Sequence, residues 1–149
     1  MRIYIYRNNK IYLRLNKKAA QALNISIKAF NLMELVACLS TGKGTWGHVN
    51  RLITDGKWDK IILITNEYGR ENFSKDEMTE LISVNMNQGL IELREEIFNN
   101  LKGKLNETEV AVNFISGAGR EHMALISALL RLGIGIRLMA LTKNGVEEV

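Results

Sequence analysis

An α/β fold on a mainly parallel sheet follows from three features of this 149-residue chain. Short apolar runs such as Lys60-Ile61-Ile62-Leu63-Ile64-Thr65 are rich in β-branched residues and do not alternate, the make-up of strands covered on both faces. Amphipathic helical patterns separate these runs from Met33 onward, giving the order βαβαβαβ and hence parallel neighbours joined by right-handed crossovers. Two glycine turns, Ser40-Thr41-Gly42-Lys43-Gly44-Thr45-Trp46 and Ser116-Gly117-Ala118-Gly119-Arg120, each follow an apolar run and lead into a helical pattern.

The first elements differ from the rest. Arg2 to Arg7 and Lys10 to Leu15 both alternate, and Asn8-Asn9 between them suits a two-residue hairpin turn because Asn tolerates positive φ. Asn16 is placed to cap a short helix ending near Asn24. From Met33 the parallel pattern begins. Glu34 to Leu39 is the first strand, and a helix from about Thr45 to Thr54 turns Val49, Leu52 and Ile53 inward. Lys60 to Thr65 is the second strand, and a polar loop runs from Asn66 to Lys75. Ser74 with Glu77 fits a capping box, so one long helix is expected from about Asp76 to Leu101. Val110 to Ile115 is the third strand. Arg120 to Leu132 is a helix with Met123, Ile126, Leu129 and Leu130 apolar, stopped by Gly133. Ile134 to Leu141 is the fourth strand, followed by a turn at Thr142-Lys143-Asn144-Gly145. The whole is a Rossmann-like, mainly parallel sheet with flanking helices plus an N-terminal β-hairpin. Residues 1–31 form a basic extension and residues 32–149 the ligand-binding domain.

Charge is unevenly distributed. Residues 1–33 hold seven basic residues and no acid, whereas the remainder has thirteen bases against sixteen acids. The basic hairpin of residues 1–31 is either a nucleic-acid contact or a solvated edge kept soluble by Lys and Arg. No apolar stretch approaches the roughly 20 residues of a membrane span, and Met1-Arg2-Ile3-Tyr4 lacks a signal-peptide run. A cytoplasmic protein without a membrane partner is expected. The one cysteine, Cys38, agrees with this, since no intramolecular disulfide is available. With His48 and His122 it has no ligand-spaced partner, so neither a metal nor another cofactor is expected.

The glycine turns carry the chemistry. A strand, a glycine turn and a helix start gather backbone N–H groups and a positive dipole end at one place. Each turn adds a cation, Lys43 or Arg120, and hydroxyls at Ser40, Thr41, Thr45 or Ser116. Side by side on parallel strands they would form one anion-accepting cleft at the carboxyl edge of the sheet, which points to a phosphate-bearing ligand. Gly42-Lys43-Gly44-Thr45-Trp46-Gly47 matches Gly-x-Gly-x-x-Gly. The acid that should end the next strand is absent, however. Thr65 and Asn66 stand there, and Asp59 begins that strand, so an ordinary nicotinamide dinucleotide is not expected.

Asn113-x-x-Ser116-Gly117-Ala118-Gly119-Arg120, followed by Met123-Ala124-Leu125, resembles the signature of CARF domains, the ligand-sensing domains of CRISPR-associated proteins. Ser40-Thr41-Gly42-Lys43 sits where that family places its other ligand loop. Ile136 to Thr142 with Asn144 to Glu148 looks like the strand and exit segment that follow. The resemblance covers roughly residues 33–149. It implies a homodimer whose two sheets present their carboxyl edges to one cleft, and a cyclic oligoadenylate ligand. Some members cleave that ligand without metal by attack of a ribose 2′-hydroxyl on its adjacent phosphate. The resemblance then makes Lys43 and Arg120 the cations that stabilise charge, and Ser40 or Ser116 the group that positions an oxygen.

Each candidate also has an ordinary structural role. Lys43 serves equally as a solvated loop cation, Arg120 as the partner of Glu121 or another nearby acid, Ser116 as a helix cap and Asn113 as a tie for loop backbone. Trp46 is a base platform or a packed rim aromatic. His48 and His122 face the cleft or belong to the surface and core. Asn66, Glu67 and Tyr68 form a third wall, where Glu67 repels phosphate unless it meets a ribose hydroxyl or base. A nucleic-acid-associated regulator and an oligomerisation module, both built on the N-terminal hairpin, are the functions of a different class.

Overall fold

Five parallel strands and one antiparallel edge strand make a six-stranded sheet within residues 33–149. The computed structural model describes these residues, apart from the side chain of Lys43, together with the backbone of Tyr4–Arg7 and Lys10–Leu13. The chain divides into two compact units, Met1–Leu32 and Met33–Val149. In the first, β1 (Tyr4–Arg7) pairs antiparallel with β2 (Lys10–Leu13), with Arg7 opposite Lys10. The Asn8-Asn9 turn and the helix expected after Asn16 lie outside the described residues.

The second unit runs β3 (Met33–Cys38), α1 (Trp46–Asp55), β4 (Trp58–Thr65), α2 (Glu67–Asn72), β5 (Thr79–Ser83), α3 (Leu90–Leu101), β6 (Glu109–Asn113), α4 (Gly119–Arg131), β7 (Gly135–Thr142) and β8 (Gly145–Glu148). The sheet order is β5-β4-β3-β6-β7-β8, with β8 antiparallel to β7. Side chains leave a strand alternately to its two faces, so each apolar run feeds two cores. Val36, Cys38, Ile62 and Ile64 pack with Leu93 and Ile97 of α3 and with Leu125 and Leu129 of α4. Leu35, Ala37, Ile61 and Leu63 pack on the other face with Trp46, Val49 and Leu52 of α1. Coverage of both faces explains why β3 and β4 lack polar alternation.

The expected helix from Asp76 to Leu101 is corrected. Thr79–Ser83 is strand β5, parallel to β4 with Leu81 opposite Leu63, and the helix begins only at Leu90. Ser74 and Glu77 therefore form no capping box; neither lies in a helix. Helical spacing of Leu93, Ile97 and Leu101 is real and buries one stripe of α3, but extending it backwards crosses Asn85-Met86-Asn87-Gln88-Gly89, a turn region. The polar loop after β4 also contains a short helix, α2, whose N-cap Asn66 accepts a hydrogen bond from Gly69 N–H at 3.0 Å. Beyond β7 the turn at Thr142 to Gly145 leads into β8, a strand the sequence pattern had not separated. On α4, Leu129 is buried, whereas Met123 and Leu130 are 58% and 62% exposed.

No described helix is long and apolar enough to cross a membrane.

Candidate functional site

Strand order reverses between β3 and β6. The chain steps outward from β3 through β4 to β5, then returns to β6 and steps the other way through β7 to β8. Open α/β sheets bind ligands outside the carboxyl ends of their strands at such a point. Both glycine turns are there. Ala37 pairs with Asn113, so β3 and β6 end level and the turns that follow them meet.

A knot of hydroxyls joins the turns. Ser116, 1% exposed, accepts from Ser40 N–H at 2.9 Å and from Thr45 Oγ1 at 2.7 Å, and donates to Ser40 Oγ at 3.2 Å. A hydroxyl has one proton and two lone pairs, so Ser116 has its full complement. Ser116 is not a helix cap. Thr45, the N-cap residue of α1, gives its hydroxyl to Ser116 instead of to its own helix. Ser40 Oγ donates to the Gly42 carbonyl at 3.3 Å, closing the first turn on itself. Thr41 accepts from Asn66 Nδ2 at 2.7 Å, which attaches the end of β4 to the same turn.

The glycines of the two turns have different reasons. Gly117 has φ +102°, and a Cβ there would lie 2.8 Å from Cys38 Cβ and 2.9 Å from Glu121 Oε2 and His122 Nε2. Close approach of the turn to the end of β3 demands glycine at that position. Gly42, Gly44 and Gly47 have neither a positive φ nor any heavy atom within 4 Å of an added Cβ. Among the described residues nothing asks for glycine there, and none packs against the backbone at these three positions.

The other candidates are placed as follows. Lys43 has its backbone in a 3-10 turn, Lys43–Thr45, and its side chain lies outside the described residues. Asn113 is 7% exposed and committed at both ends, donating to the Met139 carbonyl at 2.7 Å and accepting from Ile115 N–H at 3.0 Å. Arg120 does not pair with Glu121. Its guanidinium donates to the carbonyls of Gln88, at 3.2 Å, and Met86, fastening the loop after β5 to the start of α4. Glu121 accepts from Ala118 N–H at 2.8 Å, so a carboxylate occupies the first turn of α4. Gly119 opens that helix, with room around its Cα.

Trp46 is 9% exposed and packs below the first turn, donating from Nε1 to the Ser40 carbonyl at 2.8 Å and lying edge-on to Phe73. The exposed ring is Tyr68, tilted against Trp46 with centroids 6.2 Å apart. His48 is on the surface. His122 donates from Nε2 to the Ser116 carbonyl at 2.8 Å and leans on Phe114, so it supports the second turn. Burial, aided by the Glu121 charge, pushes the Cys38 thiol up to about 12, which keeps it protonated and unreactive at neutral pH.

Beside the turns lies a polar cleft of about 620 Å³, bounded by the β4–α2 turn, the loop after β5 and the start of α4. Asn66, Glu67 and Tyr68 line it, with Thr41 and Arg120. Ser83, Asn85, Asn87 and Glu96 also line it. They were missed because residues 76–101 read as one helix; the Asn-rich, helix-breaking run from Asn85 to Gly89 was the available signal.

No protein-family model matches the chain, and neither does any curated protein.

Proposed function

We propose that residues 33–149 are a CARF-like, Rossmann-like domain that binds a cyclic oligoadenylate, with two copies of the chain closing around one ring. The observation that carries this is the joined pair of glycine turns at the switch point. The first turn has glycine at 42 and 44, and α1 has it at 47, with no packing or φ requirement among the described residues. Bare backbone of that kind suits close approach by a phosphodiester, with N–H groups as donors and Lys43 as the nearby cation. A ring with an even number of repeated nucleotides has a two-fold axis, and a two-fold pair of such clefts matches it. The exposed apolar residues Met123 and Leu130 on α4 favour a second copy, because α4 starts at the second turn and packing along it would bring two clefts together.

Cleavage of a phosphodiester held at the joined turns would need no further reactant. The ribose 2′-oxygen bonds to the adjacent phosphorus, the bond to the 5′-oxygen breaks, and the 2′ proton ends on that leaving oxygen. The products are a 2′,3′-cyclic phosphate and a free 5′-hydroxyl. Alignment of the attacking oxygen and stabilisation of the charged phosphorane are the protein's contributions. Lys43 is assigned the charge. Ser116 is assigned a positioning role, since its hydroxyl is spent on Ser40 and Thr45. Arg120 joins only by exchanging its carbonyl partners for phosphate, a stronger acceptor.

Calorimetric titration of cyclic tetra-adenylate into the full chain and into Gly44→Glu tests the assignment. A carboxylate on the bare turn should weaken binding at least tenfold while leaving the unfolding temperature unchanged. Equal binding by the variant would remove the first turn from the site.

A second function rests on the charge run of residues 1–33, seven bases and no acid. It predicts nucleic-acid binding that falls steeply with salt and disappears when Arg2, Arg7 and Arg14 are reversed to Glu.

A further inference from the structure

We infer that the polar cleft beside the glycine turns is a nucleoside subsite, which takes the uncharged base and ribose of a ligand whose phosphate lies at the turns. This rests on the function proposed above and assigns the parts of the ligand within it. The cleft's volume of about 620 Å³ falls in the ~300–1,000 Å³ range of small-ligand sites.

Charge separates the two halves of the site. Glu67, Glu96 and Glu121 line the cleft, Glu67 paired with Arg70, and among the described lining residues Arg120 is the one cation, its guanidinium already bonded to the carbonyls of Met86 and Gln88. A phosphate entering here would meet a carboxylate majority. Hydroxyls and amines are donors, and carboxylates accept from them. Glu96 already works in this way, accepting at Oε2 from Asn85 N–H at 3.2 Å and from the Gln88 amide. Glu67 accepts from Ser83 Oγ at 3.2 Å.

The remaining lining suits a flat ring. Tyr68 is 40% exposed and is backed by Trp46, which holds the ring while leaving it open to the cleft. An aromatic face stacks on any base. Asn87 commits its backbone N–H to Asn85 Oδ1 at 3.0 Å, leaving its side-chain amide to offer a donor and an acceptor to a base edge. Arg120 ties the loop that carries Asn85 and Asn87 to the second glycine turn, so the base wall and the phosphate turn are held in one frame.

Adenosine, which has no phosphate, and inorganic phosphate are titrated separately into the ¹⁵N-labelled full chain, with backbone amide shifts followed by NMR. Cyclic tetra-adenylate is titrated in the same series. Adenosine is expected to shift residues 66–68 and 83–87, and phosphate to shift residues 41–45. Tyr68→Ala should weaken adenosine binding at least fivefold, and Tyr68→Phe, which keeps the ring, should restore it. Asn87→Ala should weaken adenosine without altering the phosphate shifts. Phosphate shifting residues 66–68 or 83–87, or adenosine leaving them unmoved, would overturn the subsite. Binding of the cyclic ligand with the cleft untouched by adenosine would overturn the subsite and leave the proposed function standing. Adenosine in the cleft with no binding of the cyclic ligand would do the reverse.

Discussion

Thr45 Oγ1 donates to Ser116 Oγ at 2.7 Å, joining two turns that lie 71 residues apart in the chain. The bond defines the site more than any single cation does. It draws the hydroxyl of an N-cap residue away from its own helix and fixes the first turn against the second.

Ser116→Ala therefore acts first on stability. It leaves the Ser40 N–H and the Thr45 hydroxyl without their acceptor at a position 1% exposed. Both donors are half-buried and Thr45 Oγ1 keeps Ser40 Oγ at 3.4 Å, so the loss is about 1 kcal/mol, the low end for an orphaned donor. Urea unfolding should show a lower midpoint with an unchanged slope. An unchanged midpoint would mean that the two turns are held by something else.

The glycines divide into two classes, and substitution should separate them. Gly117→Ala places a methyl against Cys38, Glu121 and His122 at a φ of +102°, a combination worth about 1–3 kcal/mol of strain. Gly42→Ala meets nothing and should change stability by less than about 0.5 kcal/mol. Thermal unfolding of the two variants side by side reads the difference. Equal losses would contradict the division between a glycine kept for packing and one kept bare.

Much of this was legible in the sequence, for physical reasons that differ by element. β3, β4 and β6 announce themselves because strands buried on both faces must be continuously apolar, as Ile61 to Ile64 are. β5 does not, because Thr79-Glu80-Leu81-Ile82-Ser83 is an edge strand fixed by pairing with β4, and its apolar residues run into the stripe of α3. The two turns were legible as strand–glycine–helix junctions. Their junction at Ser116 was not, since hydrogen bonds across 71 and 76 residues depend on β3 and β6 ending level. Arg120 shows the same limit. Its neighbour Glu121 looked like a partner, yet its acceptors are carbonyls 32 and 34 residues away.

Cys38 makes stability depend on pH in the alkaline range. Its folded thiol is pushed from 9.0 up to about 12 by burial, so the folded state holds the proton more tightly than the unfolded chain. The contribution is fully present below pH 9 and is lost as pH rises toward 12, with a slope of up to about 1.4 kcal/mol per pH unit. Urea midpoints of the parent and of Cys38→Ala, compared between pH 8 and 10.5, should diverge in slope, the parent falling faster. Parallel curves would mean that the thiol titrates alike in both states.

The account stands or falls on the ligand. The most direct measurement is incubation of the full chain with cyclic tetra-adenylate in EDTA, followed by native mass spectrometry and chromatography of the same sample. The account predicts a complex of two chains with one ring, or two chains together with linear products formed without metal. A monomer that neither holds nor converts the ring would contradict it.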